Sequence, residues 1–367
     1  MNDDSSLALT MAALCFEHNQ DVEQIIADCR MQHGPGKLPA KIVERLKNPI
    51  SLGDAPDWVK ADVPDWIWPA FENNFGEEAI NEGAALALSA PLDLRVNRIK
   101  ATREQAIQAL GEMGAKAAPI CSDALRIKRA GPQSRLPNVQ IEEIYQEGGI
   151  EIQDEGSQII AALVNAKDGD QILDFCAGAG GKTLAISSFT QDGAHITAFD
   201  IDKRRLSAIY PRKMRSGASK IKVIQPPLKN LDKLEGTYDK VILDAPCTGV
   251  GTWRRKPDAK WRLSEKSLET RIKEQITVLD TGSKFVRSGG LLFYMTCSML
   301  AEENESQVYN FLDRNDNFTL LSAGEVWEDT FGVDAHKPWS EDGCTLTLTP
   351  AATDTDGFFF AVMEKAK

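Results

Sequence analysis

The chain has no apolar run near the roughly 18 residues that a membrane-spanning helix needs. Its start, Met-Asn-Asp-Asp, is acidic and carries no basic region ahead of an apolar one. Neither a membrane span nor a secretory leader is expected, and the expected location is cytoplasmic. Cysteine is scarce and unpatterned: Cys15, Cys29, Cys121, Cys176, Cys247, Cys297 and Cys344 are odd in number, and no two form a Cys-x-x-Cys pair. That excludes a disulfide framework and a ribbon-type zinc site as readings. The only histidines are His18, His33, His195 and His336, in no ligand-like spacing with the thiols, so no metal is expected.

Two common nucleotide-binding patterns are missing as well. The stretch Asp174-Phe-Cys-Ala-Gly-Ala-Gly-Gly-Lys-Thr183 is a glycine loop, but a P-loop needs Gly at 176, which is Cys. The dinucleotide fingerprint would put its third Gly at 183, which is Thr. What remains is the strand, tight turn and helix that open a doubly wound α/β sheet, with Gln171 to Asp174 as the strand and Leu184 to Phe189 in the helix. Asp200 closes the next apolar strand, Ala194 to Phe199, where a ribose-binding acid belongs. An adenosine-containing cofactor is therefore the leading expectation.

At 367 residues, with 42% hydrophobic and 26% charged, the chain is of ordinary globular composition and long enough for two or three domains. Its net charge of −12 is unevenly spread: −7 over residues 1–100, −7 over 101–202, +12 over 203–273 and −10 over 274–367. Solvated helix faces are one account of the basic block. The functional account is an electrostatic footprint for phosphate beside the glycine loop.

Residues 1–85 have helical spacing broken by Pro35, Pro39 and Pro49, with Trp58, Trp66 and Trp68 read as sealing this unit onto the next. From Pro91 the pattern becomes a small α+β unit, 86–150: a strand at Leu92 to Ile99, a helix capped by Thr102 and running to about Met113, and strand-like runs within Ala118 to Ile127. Residues 130–140 read as a loop, and Gln158 to Asn165 as a helix. Beyond the glycine loop, βα alternation continues: helix 203–216, strands Ile221 to Ile224 and Lys240 to Leu243, a long helix from Ser264 to about Val286, strand Leu291 to Met295 and a helix from Glu302 to about Arg314. Two final strands, Leu346 to Leu348 and Phe358 to Val362, close the chain. Such alternation builds a mainly parallel sheet covered on both faces.

Cys247, in Asp244-Ala-Pro-Cys, and Cys297, in Thr-Cys-Ser, each follow an apolar strand. In an open parallel sheet the working residues gather beyond the carboxyl ends of adjacent strands, so these thiols are expected to be neighbours. Cations lower a thiol's pKa and make the thiolate a nucleophile, and Lys182, Arg254, Arg255 and Lys256 are candidates.

The stretch Asp244-Ala-Pro-Cys-Thr-Gly-Val-Gly-Thr-Trp-Arg-Arg-Lys-Pro-Asp-Ala-Lys-Trp-Arg262, with Met295-Thr-Cys-Ser-Met-Leu-Ala-Glu-Glu-Asn304, resembles the Fmu/Nol/Nsun family of S-adenosylmethionine-dependent RNA cytosine-5 methyltransferases. The loop from Asp174 to Thr183 resembles its first motif, and Gln153-Asp-Glu-Gly-Ser and Asp356-Gly-Phe-Phe-Phe360 its flanking ones. The resemblance implies a Rossmann-like class I methyltransferase domain over 151–367, with a mainly parallel seven-stranded sheet. A small ferredoxin-like α+β domain and a helical, RNA-binding N-terminal region would precede it.

By that resemblance, Cys297 attacks carbon 6 of the target cytosine and Cys247 assists removal of the carbon 5 proton. Asp244 engages the N3/amino edge of the base, and Lys182 orients the same site. Cys176, Ala177, Gly178, Ala179, Gly180, Gly181 and Lys182 hold the cofactor, S-adenosylmethionine, together with Asp200 and Asp244. The family often has Pro at Ala179, and often an acid near the adenine where this chain has Gln225, which becomes the candidate adenine donor. Arg254, Arg255 and Lys256 are the expected phosphate contacts, Trp261 is expected to pack, and Trp253 is open between packing and base stacking. The target base must be unpaired or flipped. A monomer acting on RNA is expected, with ribosomal RNA favoured over transfer RNA. The alternatives are a transfer-RNA enzyme and a non-catalytic ribosome-assembly factor.

Overall fold

The computed structural model describes residues 5–49, 52–131, 134–333, 337–338 and 340–367. His336 and part of the 130–140 loop lie outside the described residues. Four small-sheet strands come first: β1 (Leu92–Val96), β2 (Lys116–Ala117), β3 (Ala124–Ile127) and β4 (Ile150–Ile152). They pair antiparallel in the order β2-β3-β1-β4. Helix Arg103–Ala109 covers this sheet, and its start is fixed by a capping box in which Thr102 and Gln105 bond each other's backbone N–H.

The large sheet contains β5 (Gln171–Asp174), β6 (His195–Phe199), β7 (Ile221–Ile224), β8 (Tyr238–Asp244), β9 (Val286–Thr296), β10 (Phe318–Leu320), β11 (Leu346–Leu348) and β12 (Phe358–Lys365). Its order is β10-β12-β9-β8-β5-β6-β7, with β11 paired to β12. Strands β5 to β9 run parallel, and β12 is antiparallel to β9, β10 and β11. This is the class I methyltransferase fold. The path from β10 to β7 has the expected seven strands, and β11 is an eighth lying off it. The one strand on the path not expected from the sequence, β10, is three residues long and too short to show a period. The helix expected over 203–216 is two segments, Lys203–Ser207 and Ile209–Ser216.

The direction of winding reverses at β5, which has β6 on one side and β8 on the other. A crevice opens beyond strand ends at such a switch point. The buried strand residues Leu173, Val241, Leu243, Leu292 and Tyr294 supply one apolar layer beneath it. Burying each such side chain contributes about 1.5–3 kcal/mol, which is what fixes the crevice's floor.

The N-terminal helices divide into two clusters. Ala8, Met11, Ile25, Cys29, Leu38, Ile42 and Leu46 form a small core of their own. Trp68, Phe71 and Leu86 instead share a core with Val250, Trp253, Met299 and Leu300, which flank the two thiol loops. The tryptophans at 58, 66 and 68 thus close a seam onto the large-sheet domain rather than onto the small sheet. The small sheet is tied to the large-sheet domain by charge: buried Arg126, paired with Asp93 within its own sheet, also bonds Glu155 at 3.3 Å and Asp354 at 2.8 Å.

Candidate active site

The glycine loop turns at two residues of positive φ, Gly178 at +51° and Gly180 at +84°. A Cβ at Gly180 would stand 2.5 Å from the Ile209 side chain, so the turn admits no larger residue there. The loop's N–H groups are partly used within the protein: Ala177 donates to the Phe199 carbonyl at 2.9 Å and Gly178 to Asp200 Oδ2 at 2.8 Å. Asp200 Oδ1 accepts from the N–H of Asp202 at 2.8 Å, so this acid is rigidly placed at the end of β6. The helix that follows spans Gly181–Phe189 and starts without a side-chain cap, leaving its first N–H groups beside the crevice.

A cleft of about 580 Å³ lies over the switch point, lined in part by Phe175, Cys176, Asp200, Ile201, Leu228 and Asp244. It has an acid at the β6 end for vicinal hydroxyls and the apolar Ile201 and Leu228 for a flat ring, and Arg205 and Pro246 also border it. The donor set and size fit an adenosine-type cofactor. Cys176, Asp200 and Asp244 line this cleft, while Ala177, Gly178, Ala179, Gly180 and Gly181 form the turn at its edge. Gln225 does not line it, because its Nε2 donates to Tyr210 Oη at 2.9 Å. Ile201, Leu228 and Val278 do, and they were missed because single apolar residues in loops and helices carry no motif.

Lys182 is not among the residues lining the cleft, but its Nζ lies 2.7 Å from Oδ2 of Asp244, which is. Burial pushes this ammonium's pKa down, but Asp244 more than offsets it and leaves the value raised, so Lys182 is charged at neutral pH. The two expected thiols meet: Cys247 Sγ lies 3.4 Å from Cys297 Sγ, although they are 50 residues apart. Beyond β8 and β9 the chain is held so that Gly251 donates to the Cys297 carbonyl at 3.0 Å. Cys247 is pushed well above the usual thiol range by its hydrogen bond to Cys297 and then by burial. Cys297 is among the groups that favour the charged form of Lys182, after Asp244. Under the loop, burial lifts Asp174 to about 7 against the hydrogen bond it accepts from Thr183.

The expected phosphate contacts are corrected. Arg254 is buried among Asp154, Asp354 and Asp356, with its Nε 2.6 Å from Asp356 Oδ1. Arg255 bonds Asp356 and lies 2.7 Å from Asp154. Both guanidiniums join the segment after Cys247 to the flanking motifs, and their charge is neutralised locally. Lys256 is exposed, and none of the ion pairs among the described residues includes it. Trp261, expected to pack, is instead 60% exposed, whereas Trp253, left open between packing and base stacking, is buried and stacked on Phe71 with ring centroids 6.1 Å apart. No cluster of three or more metal-ligating side chains occurs among the described residues, and no helix there is long and apolar enough to cross a membrane.

Residues 161–364 match the family described as 16S rRNA methyltransferase RsmB/F. Residues 63–134 match the ferredoxin-like domain of RsmF/B-like methyltransferases. Ribosomal RNA small subunit methyltransferase B of Escherichia fergusonii is 32% identical over 306 residues, 82% of this chain and 66% of that protein. The protein of the same name from Salmonella arizonae is 32% identical over 328 residues, 88% of this chain and 70% of its own length. This chain thus spans about two thirds of the length of these curated relatives. The crystal structure of NSun6 from Pyrococcus horikoshii with SFG shares the fold, with a TM-score of 0.72 at 22% identity, covering 83% of this chain and 98% of that one. With a family match over more than half its length and relatives near one third identical, this chain belongs to the RsmB/F family of 16S rRNA methyltransferases.

Proposed function

We propose that this chain methylates carbon 5 of a cytidine in RNA, with 16S ribosomal RNA as the acceptor, through a covalent bond between Cys297 and the base. The observation that carries the reading is the 3.4 Å contact of Cys247 with Cys297 beside the Lys182–Asp244 pair. Two thiols in contact serve two successive steps on one ring, attack and release. The family description and the names of the relatives favour ribosomal RNA as the acceptor.

S-adenosylmethionine, when bound, supplies an electrophilic methyl group. Cys176, Asp200 and Asp244 are the residues of this chain that would hold it, with Asp200 on the ribose hydroxyls and the glycine turn beside the methionine end. The acceptor's ring carbon is a poor nucleophile until a thiolate adds to its neighbour. Cys297 is that thiolate, with Cys247 in contact with it and the charged Lys182–Asp244 pair beside it. Adding sulfur at carbon 6 displaces negative charge toward N3 and the amino group. Asp244, held by Lys182, faces that edge and positions it. Cys247, after giving its own proton to solvent, takes the carbon 5 proton as a thiolate, the C–H pair forms the carbon 5–carbon 6 double bond, and the carbon 6–sulfur pair returns to Cys297.

Transfer of labelled methyl from S-adenosylmethionine to unmodified 16S rRNA, with 5-methylcytidine identified in the digest, tests this. Label in transfer RNA alone would move the acceptor, and cofactor binding with label in no RNA would favour an assembly factor.

A further inference from the structure

Glu303 is fully buried, in the short helical turn Ala301–Glu303 that follows the Cys297 loop. Burying a carboxylate costs several kcal/mol unless donors surround it, and here the donors come from the residues flanking the other thiol. Glu303 Oε1 accepts the Thr248 N–H at 2.8 Å and Oε2 accepts the Thr248 hydroxyl at 2.5 Å. Thr248 directly follows Cys247. Gln275, itself fully buried on the helix Glu265–Gly282, donates from one Nε2 to Glu303 Oε1 at 3.0 Å and to the Pro246 carbonyl at 3.0 Å. Pro246 directly precedes Cys247, so the peptide is gripped on both sides of the sulfur.

The other end of the grip is equally fixed. Tyr294 Oη donates to the Glu303 carbonyl at 2.6 Å, and Thr296 Oγ1 donates to Asn304 Oδ1 at 2.6 Å. Asn304 Nδ2 in turn donates to the Ser298 carbonyl at 3.1 Å, holding the backbone just past Cys297. One carboxylate thus joins the Cys247 loop to the strand and turn that carry Cys297.

We infer that Glu303, working with Gln275 and Thr248, is the positioning residue that holds the Cys247 thiol in place for the release step. This rests on the two-thiol reading above. During release the Cys247 thiolate takes the carbon 5 proton, the C–H pair becomes the ring double bond and the carbon 6–sulfur pair returns to Cys297. The prior ionisation of Cys247 sends one proton to water, which is the proton that overall methylation releases. Attack by Cys297 needs neither Thr248 nor its hydroxyl, so a loosened clamp slows release and spares attack.

The test uses Glu303→Gln and Thr248→Val in the full chain, with Cys247→Ala as reference and unmodified 16S rRNA transcript as probe. The second variant removes one hydroxyl and keeps the fold's other bonds. Turnover is expected to fall roughly 10- to 100-fold, the scale of an ångström-size misplacement. Protein–RNA adduct should accumulate on a denaturing gel as in Cys247→Ala, with cofactor affinity unchanged. A second readout needs no RNA: diamide should couple Cys247 to Cys297 readily in the wild type and more slowly in both variants. Wild-type turnover and coupling rates in both variants would overturn the clamp. If Cys247→Ala itself forms no adduct, the two-thiol reading fails, and the diamide rates still decide the clamp.

Discussion

Lys182 Nζ stands 2.7 Å from Asp244 Oδ2, joining the helix that follows the glycine loop to the strand end that precedes Cys247. The lysine is 6% exposed and the aspartate 33%, so the pair sits where cleft and thiols meet. Asp244→Asn leaves a buried ammonium without its counter-charge. Turnover should fall about 100- to 1,000-fold, as for loss of one preorganised polar group, and the melting temperature should drop. Single-turnover kinetics and a thermal melt check both, and a variant active to within a few fold would remove Asp244 from the chemistry.

Asp174 gives a pH dependence with a definite sign. Its folded pKa of about 7 lies above the ordinary 3.8, so the folded protein holds this proton more tightly than the unfolded chain does. The resulting stability is full below about pH 4 and is lost as pH rises to about 7. Asp174→Asn carries no ionisable group there, so its stability relative to wild type should improve between pH 5 and 8, by on the order of a few kcal/mol. Parallel denaturation curves measure the difference. A constant offset across that range would mean that Asp174 is ionised in the fold throughout.

Arg254 and Lys256 should separate structure from RNA binding. Arg254→Ala removes one of the two cations paired with Asp154 and Asp356, Arg255 being the other, and is expected to cost up to about 3 kcal/mol of stability. Lys256→Glu should leave the melt unchanged while lowering the salt slope of RNA binding by about 1. Filter binding over a salt series distinguishes them, and an unaltered slope for Lys256→Glu would place the RNA path elsewhere.

The contrast shows what the sequence could say. Cys247 and Cys297 are legible because each ends an apolar strand, and strand ends converge in a parallel sheet. Arg254 and Arg255 look like a phosphate footprint because charge counting along the chain cannot register Asp154 and Asp356, about 100 residues away on either side. The Trp253–Phe71 stack is hidden for the same reason, since its partner lies in another segment. Glu303 is visible within a motif, but its function as an acceptor for Thr248 and Gln275 depends on a loop, a helix and a turn meeting. Local pattern thus reports elements and strand ends, whereas long-range polar partners become evident only in the fold.

The two-step division of labour is tested most directly by incubating wild type, Cys297→Ser and Cys247→Ala with labelled S-adenosylmethionine and unmodified 16S rRNA, then resolving protein, RNA and adduct on one denaturing gel. Labelled 5-methylcytidine is predicted from the wild type, neither product nor adduct from Cys297→Ser with cofactor binding kept within a few fold, and a slow-migrating protein–RNA band from Cys247→Ala. Undiminished product from Cys297→Ser, or an impaired Cys247→Ala that forms no such band, would contradict it.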